Sequence, residues 1–177
     1  MGPMEELVSA LKAGRPEAYE RLVREYGDRL YRFGLRLAGP MWADDVAQEV
    51  LLRVFRSIGA YRPEGRFEAW LFSIANHVAI DFARRRRPER WSSARESEAE
   101  EPAPPDLLED RERHVALLRA VERLPVEQKQ VFLLREEAGL SFREIAEMLD
   151  CPINTALGRM HYAMENLRKA LKAHGMR

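Results

Sequence analysis

A chain of 177 residues suffices for one domain or two small ones, and its 29 basic and 29 acidic side chains cancel to a formal charge of zero. Its one cysteine, Cys151, excludes an internal disulfide and a zinc site of the multi-cysteine kind, which points to a reducing, cytoplasmic compartment. No apolar run approaches the ~18 residues of a membrane span, and the opening stretch MGPMEELVSALKAG is too charged for a signal peptide, so neither membrane insertion nor export is indicated.

The zero net charge conceals an uneven distribution: residues 1–87 carry +3, residues 88–112 carry −6 and residues 113–177 carry +3. Two basic blocks around an acidic segment predict two domains and a joint. In chain order, residues 5–13 suit a short helix ended by Gly14, and Pro16 fits the first turn of the next one. Tyr19, Leu22, Val23, Tyr26, Leu30, Phe33 and Leu37 hold a helical stripe until Gly39 and Pro40 stop it. Asp44 and Asp45 open a third helix, where the helix dipole favours carboxylates, and Val46, Val50, Leu51, Val54 and Ile58 form its apolar face. Residues 59–66, GAYRPEGR, read as a loop.

The most specific stretch follows, FEAWLFSIANHVAIDFARRRR over residues 67–87. Phe67, Trp70, Leu71, Ile74, Val78 and Phe82 recur at helical spacing, with Ser73, His77, Ile80 and Arg84 to one side. Four consecutive arginines, Arg84 to Arg87, then sit at a helix end, more than local carboxylates can cancel, and clustered guanidiniums favour phosphates by charge and by bidentate geometry. A core helix with a solvated basic end is the bland alternative. Residues 88–106 hold several prolines and carboxylates and almost no aliphatic side chains, which predicts a flexible acidic linker containing an isolated Trp91.

From Leu107 the helical pattern resumes, with Val115, Leu118 and Val121 on one face, and Pro125 opens a further helix reaching Ala138 and closed by Gly139. Ser141 and Glu144 have the spacing of a capping box, with Ile145, Ala146 and Leu149 inward. Residues 150–152 make a turn, and Asn154 is the expected cap of a last helix to about Ala173, with Ala156, Met160, Ala163, Leu167 and Leu171 as its buried stripe. A short capped helix, a tight turn and a longer basic helix are the parts of a helix-turn-helix, although a plain helical hairpin has the same pattern. The prediction is an all-α fold of two helical domains, a bundle over 1–87 and a helix-turn-helix domain over 107–177, joined by the linker at 88–106.

These residues also carry a resemblance to the group IV, or extracytoplasmic-function, sigma factors of bacterial RNA polymerase. The segment Asp44-Asp45-Val46-Ala47-Gln48-Glu49, with Arg53 and Phe55, resembles the family's polymerase-binding segment. Residues 67–87 resemble the segment that melts and reads the −10 promoter element. Leu124-Pro125, Gln128, Leu134-Arg135, Gly139, Ser141, Glu144-Ile145-Ala146, Cys151-Pro152, Thr155, Arg159 and His161 resemble the region that reads the −35 element.

The resemblance implies core RNA polymerase and promoter DNA, duplex and melted, as partners, and an anti-sigma factor as regulator. It implies no cofactor, no small-molecule substrate and no enzymatic activity, and the scattered histidines offer no catalytic or metal constellation. The candidate residues are Asp45, Gln48, Glu49 and Arg53 for polymerase. For the −10 element they are Arg62, Arg66, Asn76, His77, Ile80, Arg84 and Arg85, and for the −35 element Thr155, Leu157, Gly158, Arg159, His161 and Tyr162. His77 stands where the family commonly has Asn, and Gly158 is read as a point of close backbone approach. A two-domain regulator acting on duplex DNA without polymerase shares the helix-turn-helix and is the alternative function.

Overall fold

The computed structural model describes residues 2–63, 66–85 and 105–173, the side chains of 105–113 excepted. Glu64, Gly65, Arg86, Arg87, Trp91 and all but the end of the expected linker lie outside the described residues. Eight α-helices and no strand are found among the described residues. The first domain contains α1 (Pro3–Lys12), α2 (Pro16–Leu37), α3 (Ala43–Ser57) and α4 (Phe67–Arg85). The second contains α5 (Pro105–Glu122), α6 (Val126–Glu136), α7 (Phe142–Met148) and α8 (Ile153–Ala173).

The helix ends follow local chemistry. Gly14 adopts φ +68°, the left-handed turn that frees the chain after α1, and Pro16 supplies the fixed φ of the first turn of α2. Gly139, at φ +64°, does the same after α6, whose last assigned residue is Glu136 rather than Ala138. The Ser141 hydroxyl accepts from the Glu144 amide at 3.2 Å and the Glu144 carboxylate accepts from the Ser141 amide at 2.7 Å, so the expected capping box is formed. Asn154 is not a cap: α8 already begins at Ile153, with the Pro152 carbonyl accepting from the amides of Thr155 and Ala156.

In the first domain Leu22, Tyr26, Leu30, Phe33 and Leu37 of α2 are buried against Val46, Val50 and Val54 of α3 and Phe67, Leu71, Phe72, Ala75, Val78 and Ala79 of α4. Each large side chain fully buried this way contributes roughly 1.5–3 kcal/mol before entropy is counted. Edge-on ring pairs, Phe33 with Phe72 at 5.5 Å and Tyr26 with Phe67 at 5.8 Å, lock α2 to α4. Not every member of the expected stripes is buried. Val23 is half exposed, because it lies ~100° around the helix from Leu22. Leu51 is only partly covered, and Val115 of α5 is exposed while Ala116, Ala120 and Val121 turn inward. In α4, Trp70, Ile74 and Phe82 are partly buried and Phe72, Ala75 and Ala79 fully so, since this helix is covered from more than one side.

The second domain packs α5, α6 and α7 around α8, with Leu133, Leu134, Leu140, Ile145, Ala156, Ala163 and Leu167 in its core. It also packs on the first domain, through α2 against α5 and α6 and through α4 against α7. Glu137, just past α6, is central there: its carboxylate accepts from Arg32 Nε at 3.1 Å and from Arg36 Nη1, and its carbonyl accepts from Arg29 Nε at 2.8 Å. Gln130 Nε2 donates to Asn76 Oδ1 at 3.0 Å, and Arg66 Nη1 donates to the Gly139 carbonyl at 3.0 Å.

Candidate nucleic-acid interface

Along α3 the periodicity that buries Val46, Val50 and Val54 turns Asp45, Gln48, Glu49, Leu52, Phe55 and Arg56 outward. Glu49 Oε1 accepts from Arg53 Nε at 2.8 Å, an i,i+4 pair with the glutamate on the N-terminal side, which suits the dipole. Between these polar groups stand Leu52, 49% exposed, and Phe55, 60% exposed, with the Tyr19 ring 5.2 Å from Phe55. Phe55 belongs to the segment whose resemblance points to polymerase binding, whereas Leu52, one helical turn after Gln48, is a further member of this face that the polar pattern does not indicate.

At the far end of α4, Arg84 and Arg85 are exposed, and the Arg85 guanidinium lies 5.1 Å from the Phe82 ring centroid. Phe82 in turn stacks on Trp42 at 5.4 Å, so the aromatic pair orients the cation and anchors the helix end. His77 is exposed on the same helix, and its Nδ1 lies 2.7 Å from the Ser73 carbonyl. A carbonyl only accepts, so Nδ1 carries the proton and Nε2 of the neutral ring is an acceptor. Arg62 is exposed and Ile80 half-buried.

Two of the predicted −10 residues are engaged within the chain. Asn76 is 5% exposed and bonded to Gln130, because the second domain covers that side of α4. Arg66 is bonded to Gly139 and lies 3.8 Å from Glu144. In the compact form, Asn76 is therefore a buried interdomain residue rather than one presented to DNA. The expected loop at 59–66 also begins as a one-turn 3-10 helix, Ile58–Ala60.

The helix-turn-helix is α7, a turn and α8. Asp150 takes φ +47° in that turn, a left-handed conformation that aspartate tolerates, and the Cys151 amide donates back to the Ala146 carbonyl at 3.0 Å. Thr155, Leu157, His161 and Tyr162 are exposed at the start of α8, with the rings of His161 and Tyr162 edge-on at 5.6 Å. Arg159 folds back, its Nη1 3.9 Å from Cys151 Sγ. Apart from its chain neighbours and its own helix backbone, no described atom lies within 4 Å of a Cβ built on Gly158, so no tertiary close approach among the described residues accounts for this glycine.

The Tyr26 phenol inside the first domain and the Glu144 carboxyl beside Arg66 are both shifted from their ordinary values. Burial, then the Glu68 charge, pushes the Tyr26 phenol well up, and its hydroxyl donates to Glu68 Oε1 at 3.1 Å. For Glu144 burial acts upward, but the hydrogen bonds from Ser141 and the charge of Arg66 together hold the carboxyl below its ordinary value.

Residues 22–89 match the family Sigma-70 region 2, and residues 114–167 match Sigma-70, region 4. The chain is 31% identical to the RNA polymerase sigma-H factor of Pseudomonas aeruginosa, an alignment covering 95% of this chain and 93% of that one. It is 28% identical to the ECF RNA polymerase sigma factor SigW of Bacillus subtilis, covering 93% and 95%. With the ECF RNA polymerase sigma factor SigE of Mycolicibacterium smegmatis it shares 35% identity over 89% of its own length, and spans 63% of that relative. Among solved structures, CnrH in complex with the cytosolic domain of CnrY matches with a TM-score of 0.70 at 23% identity, covering 94% of this chain and 96% of that one. The sigma factor RpoE in complex with the anti-sigma factor NepR from Bartonella quintana matches with a TM-score of 0.66 at 23% identity, covering 87% and 96%.

Proposed function

We propose that this chain, which belongs to the extracytoplasmic-function group of the sigma-70 family, divides polymerase binding and promoter recognition between its two helical domains. As a sigma factor it directs transcription initiation by RNA polymerase. The finer assignments are as follows. Residues 1–87 form the unit that binds core polymerase and recognises and melts the −10 element, residues 88–106 the acidic linker, and residues 107–177 the unit that reads the −35 element.

The outward face of α3 is assigned to polymerase. The observation that carries this is its anatomy, an exposed apolar centre of Leu52 and Phe55 inside a rim of Asp45, Gln48, Glu49 and Arg53. Exposed aromatic anchors with polar surrounds are the usual layout of a protein interface, and the neighbouring Tyr19 ring still leaves Phe55 60% exposed. The melted −10 strand is assigned to Arg62, His77, Ile80, Arg84 and Arg85, with Arg66 and Asn76 joining when the second domain moves off them. The −35 duplex is assigned to Thr155, Leu157, Gly158, Arg159, His161 and Tyr162, where Leu157 suits a thymine methyl and Gly158 lets DNA approach the backbone. The protein works in the cytoplasm as a non-catalytic subunit, and an anti-sigma factor is its regulator, by analogy with the complexes of its structural relatives.

Gel filtration with core polymerase tests the assignment. The wild-type chain co-elutes; a chain with Glu49→Arg and Arg53→Glu, or with Phe55→Ala, elutes separately at nearly unchanged thermal stability. Unchanged co-elution of all variants would refute the α3 face. A duplex-DNA regulator would bind promoter DNA and not co-elute at all.

A further inference from the structure

The arginines at the C-terminal half of α2 belong to none of the surfaces above. Arg29, Arg32 and Arg36 fall within a narrow arc, one helical turn apart. On their own helix Glu25 is taken by Arg21 at 2.6 Å, and the exposed Asp28 forms no ion pair with any of them among the described residues. Their counter-charge instead comes from 101 to 108 residues away, from the carboxylate and carbonyl of Glu137 at the negative end of α6.

That match is incomplete. One carboxylate and one carbonyl face three guanidiniums, and Arg36 Nε is buried without a hydrogen-bond partner. Meanwhile the Arg29 guanidinium lies 5.2 Å from the Tyr26 ring centroid and 5.3 Å from that of Phe72. A row of forked donors, one of them resting against two rings, suits a chain of repeating anions better than a single carboxylate. The stripe also adjoins α4, because Phe72 lies one turn before Asn76, and the domain that covers the arginines covers Asn76 and Arg66 as well.

We propose that Arg29, Arg32 and Arg36 are a binding site for the phosphodiester backbone of the melted promoter strand, and that Glu137 occupies this site in the compact form of the free chain. Closure of the second domain and binding of single-stranded DNA then compete for the same guanidiniums. The inference rests on the promoter-melting reading of the first domain and extends it to α2. Glu137 acts as a built-in competitor, so the free chain binds DNA weakly until its domains separate.

The test is the affinity of the full chain for a fluorescent oligothymidylate, followed by anisotropy across a salt series, with promoter-directed initiation by core polymerase run in parallel. Glu137→Gln tightens binding roughly three- to tenfold, since a competent state populated only fractionally lowers apparent affinity by that fraction. Arg32→Gln, at an exposed side chain that the fold does not need, weakens binding and lowers the logarithmic salt slope by about 0.7, the value for one phosphate contact on a single strand. Arg32→Gln with Arg36→Gln lowers it by about 1.4 and abolishes the gain from Glu137→Gln. Arg84→Ala with Arg85→Ala weakens binding but leaves that gain intact.

Unaltered affinity and slope in Glu137→Gln and Arg32→Gln would overturn the inference. An equal Glu137→Gln gain with and without the arginines would overturn the shared site. Displacement of the oligonucleotide by polyglutamate as readily as by unlabelled oligothymidylate would transfer the site to an acidic protein and overturn the DNA assignment. Normal promoter-directed initiation in the presence of any of these results leaves the sigma reading standing; its absence in the wild type, with the Glu137 response intact, counts against that reading alone.

Discussion

At Gly34 the backbones of α2 and α3 approach closely, and substituting it tests the packing that sets the α3 face. A Cβ there would stand 2.9 Å from both Cβ and Cγ1 of Val46 and 3.3 Å from the Ala43 carbonyl. Val46 is fully buried and β-branched, so it has no rotamer into which to retreat, and the carbonyl is backbone. Gly→Ala inside a helix gains about 1 kcal/mol of propensity, whereas overpacking a tight core costs about 1–3 kcal/mol. Gly34→Ala is therefore destabilising by up to about 2 kcal/mol, a fall of up to roughly 8 °C in Tm for a chain of this size. Gly27, on the same helix, is the control: the nearest atom to its added Cβ is Val23 Cγ1 at 3.7 Å, an ordinary contact. Gly27→Ala should raise Tm by roughly 1–4 °C. Thermal unfolding of both variants by circular dichroism decides it, and equal shifts of the same sign would refute the close approach of α2 and α3.

Tyr26 stays protonated in the folded chain where an unfolded tyrosine ionises, so its contribution is complete below about pH 10 and is lost as pH rises further. Tyr26→Phe should cost about 1 kcal/mol at neutral pH and flatten that alkaline decline in urea titrations; an unchanged decline would assign it to other groups. Ser141→Ala should cost the second domain about 1 kcal/mol through the lost cap. Because Glu144 is held below its ordinary value of 4.5, its contribution is complete above that pH and lost as pH falls through the depressed value, and Ser141→Ala should shrink this acid loss. In promoter complexes, Arg84→Ala with Arg85→Ala should weaken binding to all sequences alike, whereas His77→Ala should change base preference with melting retained; permanganate footprinting showing neither would refute the α4 site.

The helices were legible because Gly and Pro punctuate them and because leucine and valine repeat at helical spacing, as in Leu22, Leu30 and Leu37 or Val46, Val50 and Val54. Residue type misleads where angle decides: Val23 is apolar yet points outward, away from the expected stripe, and Leu52, apolar and unassigned, is central to an exposed face. The interdomain contact left no local trace. Nothing near Glu137 announces three arginines more than a hundred positions earlier, and nothing near Asn76 announces Gln130, so Asn76 read as a surface residue. The arginine spacing in α2 was visible, but a basic stripe alone does not reveal what neutralises it.

The most direct test of the whole account is initiation itself: purified chain, core RNA polymerase and a pool of genomic DNA fragments, with the 5′ ends of the transcripts mapped. The account predicts start sites that appear only when the chain is added, preceded at fixed spacing by two shared motifs, and lost with the Glu49→Arg, Arg53→Glu chain. Transcripts whose starts are the same with and without the chain, from DNA that the chain nevertheless binds, would contradict it.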